Sequence, residues 1–489
     1  MLSIGGEAWC IRDAAEATAI WGAPGSGKTS GSGKALAHAF LAAGMGGLVL
    51  CAKNDEADTW RAYAKATGRE NDLVVLDASG RERFNILDYA AKTLGGPGFE
   101  QNLVYLMQTM IEATRVASGS GGGSDSENRY FVEGALKWLA HAFPLLLLTE
   151  GTLRLSDLNR FIISMPRSLE EMRSAEWQSE SYCSQVHVKA GDMATAEPAG
   201  PDGGDSYAMR VVNEFGSFFL TEVPGLDNRP RSGIESTLTN MIYPFLTGKL
   251  AELFCTTTTV TPADCRDGKI VVLDLPVLTY GATGAVAQSM FKYLFGIAVQ
   301  NTKVDADTRP VFLYADEAQF FMTGADAELL STARSSKTCI VYITQDLPTY
   351  YARIGANARD KAESILSKFG TRIFHANTSR ETNLYASETI GKIQKFHVTN
   401  TVSKGQTAGG GGNHHDVGGG YHGQDSANIG TSQSTSGYLD YEIPPDYFAT
   451  KLRTGARAHG FKVDGILIRN ARTWKRTRRH WIQAEFSQQ

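Results

Sequence analysis

The sequence predicts an α/β protein with a doubly wound, mostly parallel sheet into which a mostly helical segment is inserted. A glycine-rich loop lies between a short apolar strand pattern and a helical pattern near the amino terminus. Short apolar strands alternate with helical patterns in the first and last parts of the chain, whereas the middle shows helical periodicity alone. At 489 residues, the chain is long enough for two domains or for one large domain with an insertion.

The glycine-rich loop at residues 22–29 matches the phosphate-binding pattern G-x-x-x-x-G-K-[ST] at every fixed position. A buried strand is predicted over 17–21 and a helix over 29–43, which is the context that such a loop requires. Its glycines let backbone N–H groups converge on phosphate oxygens at a helix N-terminus. A chance match in a glycine-rich turn is the alternative, and the flanking elements disfavour it. We therefore predict ATP and Mg²⁺ as cofactors, with the nucleotide bound by Gly22, Ala23, Pro24, Gly25, Ser26, Gly27, Lys28, Thr29 and Ser30.

Specific roles follow for the loop and for an acidic pair farther along the chain. Lys28 is predicted to reach the β and γ phosphates, and the Thr29 hydroxyl to hold Mg²⁺. The apolar strand 311–315 ends in Asp316 and Glu317, the arrangement that complements a phosphate loop. Asp316 is the second predicted metal-site residue, and Glu317 is the predicted general base. The alternative is a strand that simply ends in an acidic turn.

Two further catalytic candidates lie on either side of the strand 339–344. Gln345 follows this strand and can sense the γ-phosphate or the attacking water, unless it is an ordinary polar residue at a strand end. Arg334 precedes the strand and can act as an arginine finger in a neighbouring subunit's site. A solvated helix arginine is the alternative for Arg334.

The strand patterns also suggest a division of the chain. Strands at 47–51, 73–77 and 269–275 belong to a sheet that the helical segment interrupts. We predict a first part of the nucleotide-binding core over 1–94, an inserted helical domain over 95–250, and a second part of the core over 251–489. An exposed loop is expected at 190–206 and a flexible glycine-rich loop at 405–436.

Composition limits the class of protein. The net charge is −4, and the six cysteines are far apart without C-x-x-C pairs, which argues against a zinc site or a disulfide framework. The longest apolar run, around 143–148, is much shorter than the roughly 20 residues that a membrane span needs. We predict a cytoplasmic protein without an encoded membrane span.

The order of these motifs resembles the type IV coupling proteins of conjugation and type IV secretion, the TraG/TraD-like RecA-like motor ATPases of the FtsK/HerA superfamily. The phosphate loop is followed by Cys-Ala-Lys-Asn-Asp-Glu at 51–56, Phe-Asn-Ile-Leu at 84–87, the acidic pair, Arg334 and Gln345. In that family the second strand usually ends in Asp-Pro-Lys-Gly-Glu, of which this chain keeps Lys53 but lacks the Asp-Pro and the Gly.

The resemblance implies a RecA-like P-loop NTPase core, an inserted all-α domain, and a hexameric ring around DNA with an arginine supplied in trans. It also implies relaxosome or type IV secretion components as partners, and docking at the inner membrane through a partner is an alternative to a purely cytoplasmic position. The expected function is an ATP-hydrolysing DNA translocase. An ATPase that powers protein secretion or assembly, and a nucleotide-gated scaffold in a mobile-element or defence complex, remain alternatives.

Overall fold

The computed structural model describes residues 2–4, 6–93, 99–118, 126–198, 204–354, 358–406 and 427–489. Within these residues, the chain forms one nine-stranded sheet, two separate two-stranded hairpins, and helices on both faces of the large sheet. The strands are β1 (Leu2–Ile4), β2 (Glu7–Trp9), β3 (Thr18–Trp21), β4 (Gly46–Leu50), β5 (Leu73–Leu76), β6 (Ile270–Leu273), β7 (Val311–Ala315), β8 (Thr338–Thr344), β9 (Thr371–Phe374), β10 (Lys392–Gln406), β11 (Ala427–Tyr441), β12 (Lys462–Arg469) and β13 (Trp481–Ser487).

Helices surround the sheet and fill the middle of the chain. Those before β5 are α1 (Ile11–Ala14), α2 (Lys34–Ala42) and α3 (Glu56–Ala66). Those between β5 and β6 are α4 (Ile86–Thr93), α5 (Phe99–Ser118), α6 (Ser126–Glu150), α7 (Leu155–Ile163), α8 (Leu169–Arg173), α9 (Ala175–Glu180), α10 (Tyr182–Ala196), α11 (Tyr207–Arg210), α12 (Ser217–Thr221), α13 (Asn228–Ile242) and α14 (Gly248–Phe254). The remaining helices are α15 (Val277–Asn301), α16 (Asp326–Thr332), α17 (Leu347–Ile354), α18 (Ala358–Leu366), α19 (Arg380–Ile390) and α20 (Pro445–Thr450).

The large sheet has the strand order β13-β12-β9-β3-β8-β7-β4-β6-β5. The strands from β9 to β5 are parallel to one another, while β12 and β13 add an antiparallel edge. Parallel strands buried on both faces are expected to be apolar throughout, and β4, β6, β7 and β8 are buried at every residue. The predicted α/β architecture therefore follows from these apolar runs.

Alternate residues of the parallel strands supply two cores on opposite faces of the sheet. Leu313 and Tyr342 join the larger core with α15 and α5, whereas Phe312 and Val341 join the smaller one with α2 and α3. This alternation is the period of two that strands impose. Because both faces are covered, the ends of the parallel strands are held in a fixed arrangement.

The helical segment between β5 and β6 contains no strand in the residues that the structure describes. The expected exposed loop at 190–206 is wrong for its first part, because α10 continues to Ala196 and buries Ala190 and Ala194. Alanine has a high helix propensity, and its small side chain allows close packing. The Gly, Pro and Asp residues of the same segment predicted a loop instead. Residues 199–203 lie outside the described part of the chain.

One helical stretch in the described residues, Arg129–Glu150, has the length and composition of a membrane span. It includes most of α6, and its mean hydropathy is 1.4 over the most apolar window. However, Trp138, Phe143 and Leu146 of this helix are buried in the larger core of the protein. A core helix passes the same test of length and composition, and we treat α6 as a core helix.

The expected flexible loop at 405–436 is wrong at both ends, because β10 and β11 pair over their whole lengths as an antiparallel hairpin. The register pairs Lys392 with Tyr441 and Gln406 with Ala427. Serine- and threonine-rich strands can pair along their backbones without a buried face, so the polar composition did not reveal them. Residues 407–426 lie outside the described residues.

Candidate nucleotide-binding site

The predicted site residues follow the carboxyl ends of neighbouring parallel strands. Trp21, the last residue of β3, pairs with Thr344 at the end of β8, and Leu50 at the end of β4 pairs with Ala315 at the end of β7. Because the carboxyl ends of parallel strands meet at one edge, the segments that follow lie side by side. This edge brings together the phosphate loop (residues 22–29), Lys53, the acidic pair Asp316 and Glu317, and Gln345.

The phosphate loop is packed so closely that it needs its glycines. Gly27 has φ +82°, and a Cβ built on it would collide with Cγ1 of Val463 in β12. A Cβ on Gly22 would collide with the Ser26 hydroxyl. Side chains at either position would therefore displace the loop backbone whose N–H groups are expected to bind phosphate.

The loop also contains buried polar groups that fit a phosphate ligand. Lys28 is only 7% exposed, and within the described residues its ammonium makes no hydrogen bond or ion pair. The buried Ser26 hydroxyl is likewise without a hydrogen-bond partner there. Burying such groups costs free energy unless something pairs with them, so these orphaned groups fit the oxygens of a nucleoside triphosphate.

A buried histidine supports the loop from behind. The Nδ1–H of His375 donates to the Asp464 carbonyl at 2.8 Å, so its Nε2 accepts from the Ser32 hydroxyl at 2.7 Å. Burial, together with the nearby Lys28 charge, lowers the pKa of His375 to about 4. The imidazole is therefore neutral at physiological pH. It connects Ser32, in the π-helical turn Thr29–Gly33 that leads into α2, to Asp464 in β12.

The carboxyl-terminal residues cover the same loop. The Gln488 side-chain amide donates to the Ser30 hydroxyl at 2.8 Å, and Lys34 donates to the Gln488 carbonyl at 3.2 Å. Ser30, one of the predicted nucleotide-binding residues, thus has a protein partner at the beginning of the turn that leads into α2. This contact joins residues that are 458 positions apart in the sequence.

The predicted metal site is assembled at the tip of β7. The Thr29 hydroxyl donates to Asp316 Oδ2 at 3.0 Å, and the Glu317 amide donates to Asp316 Oδ1 at 3.0 Å. Hydroxyl and carboxylate oxygens are the hard donors that Mg²⁺ prefers. Thr29 and Asp316 are therefore residues that could hold a magnesium ion.

Glu317 is held in a defined orientation by an unusual backbone and by two amides. Its φ and ψ are +51° and +49°, in the left-handed region that non-glycine residues seldom adopt. Gln319 donates to Glu317 Oε2 at 2.8 Å, and Gln345 lies at 3.5 Å from Oε1. Burial alone would raise the pKa of Glu317, but the Gln319 hydrogen bond and the charges of Lys53 and Lys28 lower it below its ordinary value. Glu317 is therefore ionised at neutral pH, as a general base must be.

Lys53 extends into the centre of this cluster from the segment after β4. Its ammonium donates to Asp316 Oδ2 at 3.0 Å and lies 3.3 Å from Glu317 Oε1. Burial alone would lower the pKa of Lys53, but the charges of Asp316 and Glu317 raise it above its ordinary value. A cavity of about 130 Å³ adjoins the cluster and is lined by Thr29, Lys53, Glu56 and Asp316 among others.

Arg334 lies away from these residues. It follows α16 and precedes β8, and its guanidinium lies 3.8 Å from Glu16, which precedes β3. Both positions are at the amino ends of the parallel strands, on the opposite edge from the phosphate loop. The Arg334 side chain is 63% exposed, so it lies on the surface and outside this site.

Sequence reasoning did not place Lys53, Gln319 or His375 in the site. Lys53 had a signal, since it follows a strand that the topology places beside β7, but strand order is not readable from one sequence. Gln319 comes two residues after Glu317, and Thr344 fixes it by donating to its side-chain oxygen at 2.8 Å. No local pattern distinguishes His375 from any other histidine at a strand end.

The chain is similar to known coupling proteins in part of its sequence and in its fold. The family described as the TraM recognition site of TraD and TraG matches residues 310–433. The unbound bacterial conjugative coupling protein TrwBdeltaN70 superimposes with a TM-score of 0.57 at 11% identity, over 98% of this chain and 86% of that chain. TrwB in complex with a non-hydrolysable ATP analogue gives a TM-score of 0.55 at 12% identity, over 98% and 87%. The resemblance to TraG/TraD-like coupling proteins is confirmed.

The matched segment, residues 310–433, contains β7 to β10 and the first part of β11. It includes Asp316, Glu317, Arg334 and Gln345. The solved coupling-protein structures confirm the predicted fold class, a RecA-like core with a mostly parallel sheet and inserted helices. At 11–12% identity they establish the fold alone. Curated proteins give no match to this chain. The division into domains at 94 and 250, and the roles of the individual site residues, stay predictions.

Proposed function

We propose that this chain is a magnesium-dependent ATPase that moves DNA as a hexameric ring in conjugative transfer or type IV secretion. The observation that carries the proposal is the 3.0 Å hydrogen bond from Thr29 to Asp316, with Glu317 ionised beside it. A protein that only binds nucleotide has no need of a buried carboxylate held beyond the metal site. TrwB, a coupling protein of the same fold, has been solved in complex with a non-hydrolysable ATP analogue, which adds support for ATP as the ligand.

Each residue of the site has a proposed part in hydrolysis. The phosphate-loop backbone binds the phosphates, and Lys28 contacts the β and γ phosphates. Thr29 and Asp316 would hold Mg²⁺, which would supply positive charge to the phosphate oxygens. Glu317 accepts a proton from the attacking water through Oε1, while Gln319 fixes the other oxygen. Gln345 would orient the same water, a part that its 3.5 Å contact with Oε1 supports.

The position of Arg334 supports a ring with shared sites. An exposed arginine at the opposite edge from its own phosphate loop can stabilise phosphoryl charge only in a neighbour's site. Arg334→Ala subunits and Lys28→Ala subunits should each be inactive alone, and a mixture should recover part of the activity. A mixture as inactive as its components would contradict an arginine supplied in trans.

Partners and localisation follow the same proposal. The matched segment carries the description of a TraM recognition site, which supports a relaxosome or secretion component as a protein partner. We place the chain in the cytoplasm, either free or docked at the inner membrane through such a partner. Binding to duplex or single-stranded DNA inside the ring is expected to be independent of base sequence.

The proposal is tested by the ATPase rate of the full chain without nucleic acid, with single-stranded DNA and with duplex DNA. Lys28→Ala serves as the blank. Stimulation by either DNA would support the motor and identify its track. Activity indifferent to DNA would replace this proposal with an ATPase that moves or assembles polypeptides. A rate equal to the blank would reject an ATPase in favour of a nucleotide-gated scaffold.

A further inference from the structure

Lys53 contacts both Asp316, a predicted metal-site residue, and Glu317, the predicted general base. We propose that Lys53 is a positioning residue, which neutralises the acidic pair in the nucleotide-free protein and moves to Glu56 when a divalent metal binds. The inference rests on the proposed function, because it assigns the metal to Thr29 and Asp316. It concerns residues of this chain and can be tested without measuring hydrolysis.

Lys53 and a divalent metal ion would compete for Oδ2 of Asp316. Asp316 Oδ2 accepts both from Thr29 and from Lys53, each at 3.0 Å. The Asp316 and Glu317 side chains are only 4% and 7% exposed, so water can neutralise little of their charge. A divalent ion that binds the same oxygen would face the Lys53 ammonium at close range and be repelled by it. Lys53 must therefore leave Asp316 for the metal to bind well.

Glu56 offers a second acceptor for the Lys53 ammonium. Glu56 Oε1 is buried, has no hydrogen-bond partner within the described residues, and lies 4.0 Å from the Lys53 ammonium. Glu56 Oε2 is already fixed, because it accepts from the Ala52 amide at 2.7 Å. A shift of about 1 Å would bring Lys53 into hydrogen-bond distance of Oε1. The neighbouring cavity, lined by both side chains, provides room for that movement.

The move would also prepare Glu317. With Lys53 at 3.3 Å, Oε1 of Glu317 is engaged by a cation, while Gln319 engages Oε2 at 2.8 Å. Departure of Lys53 leaves the Gln319 contact in place and removes the cation from Oε1. This oxygen then keeps only the 3.5 Å contact with the Gln345 amide and can accept a proton from water. Metal binding and activation of the base would thus be coupled through one side chain.

The test measures Mn²⁺ binding to the nucleotide-free full chain by electron paramagnetic resonance. Lys53→Gln keeps a hydrogen-bond donor but removes the charge, and we expect it to bind Mn²⁺ at least about tenfold more tightly than the wild type. Lys53→Arg keeps the charge and should bind as weakly as the wild type. Lys65→Gln, which removes an exposed charge on α3 outside the site, is the matched control and should also resemble the wild type.

Equal Mn²⁺ affinity in the wild type and in Lys53→Gln would overturn the competition. Circular dichroism and thermal melting would first establish that each variant is folded. A wild type that does not hydrolyse ATP would reject the proposed function, but it would leave this Mn²⁺ measurement fully informative. The two failures are therefore distinguishable.

Glu56 is tested separately, in the presence of a non-hydrolysable ATP analogue. Glu56→Gln keeps an acceptor for the Ala52 amide but removes the carboxyl group that would receive Lys53. We expect Mn²⁺ to bind about tenfold more weakly to this variant, and the double variant with Lys53→Gln to lose that defect. A defect that persists in the double variant would show that Glu56 acts independently of Lys53 and would reject the proposed movement.

Discussion

The nucleotide-site edge and the hairpin β10–β11 use strands in opposite ways. At the site edge, Asp316 Oδ2 accepts hydrogen bonds of 3.0 Å from both Thr29 and Lys53, which come from distant parts of the chain. In the hairpin, pairing links successive strands, and Val402 and Leu439 are 58% and 72% exposed. The first region is built by long-range packing, the second by local backbone pairing.

The two regions therefore differ in how strongly contacts within the chain fix their side chains. Each charged group of the acidic pair has a partner, so its geometry is fixed within one subunit. A two-stranded hairpin with exposed apolar side chains obtains little stability from them. The site should therefore respond sharply to single substitutions, whereas the hairpin should tolerate them.

The largest effect is expected at Glu317. Glu317→Gln removes the proposed base but keeps a side-chain oxygen that can accept the hydrogen bond from Gln319, which is 2.8 Å long in the wild type. Turnover should fall about 100- to 10,000-fold, because a positioned general base contributes that range. Nucleotide affinity, measured with a fluorescent ATP analogue, should change little.

Glu252→Gln is the matched control, since its ion pair with Arg83 lies outside the site. Its turnover should equal that of the wild type. If Glu317→Gln retained most of its activity, the role of Glu317 as base would be untenable. If both variants lost activity equally, the effect would reflect a general loss of charge rather than this site.

The nucleotide site could be predicted in outline from the sequence because its two motifs are local. The phosphate loop is contiguous, and the acidic pair ends an apolar strand, so the positions of Lys28, Thr29 and Asp316 relative to strand ends could be predicted. Lys53 and Gln488 could not be predicted in this way. Their contacts depend on strand order and on the antiparallel edge, which local patterns do not specify.

In the hairpin β10–β11, local patterns failed to predict the strands themselves. Between 405 and 436 the abundance of Gly, Ser, His, Asn and Gln predicts a loop, because such a segment cannot bury enough apolar area to fold alone. The strands instead satisfy their backbone groups by pairing with each other from Lys392 to Tyr441. Burial patterns thus predict strands only where a face is covered, as in β7 and β8.

An intermediate effect is expected from His375. Its pKa is lowered to about 4 by burial, whereas an unfolded histidine titrates near about 6.5. The unfolded chain therefore binds more protons between these values, and the free energy of unfolding rises with pH across this window. The stabilisation is complete above the unfolded pKa and is lost as pH falls towards 4. Over the window the change is about 3 kcal/mol.

Urea unfolding at pH values from about 4.5 to about 7.5, which span most of this window, measures the dependence. In His375→Gln the amide can still contact Ser32, but the titration is absent, so the curve should be flatter than that of the wild type. His397→Gln, the same replacement on an exposed strand of the hairpin, is the control and should keep the wild-type slope. Equal slopes in the wild type and in His375→Gln would contradict a buried neutral imidazole.

The smallest effect compares one substitution in the two regions. Val463 in β12 is fully buried against the phosphate loop, and Val402 in β10 is 58% exposed. Val463→Ala should lower the free energy of unfolding by about 2 kcal/mol, because it removes buried methyl groups and leaves a cavity. It should also weaken nucleotide binding, since Val463 fixes the backbone around Gly27. Val402→Ala should cost less than about 0.5 kcal/mol in the isolated subunit. Equal costs in urea unfolding would mean that the apolar side chains of the hairpin are covered in solution and that the contrast between the regions disappears on assembly.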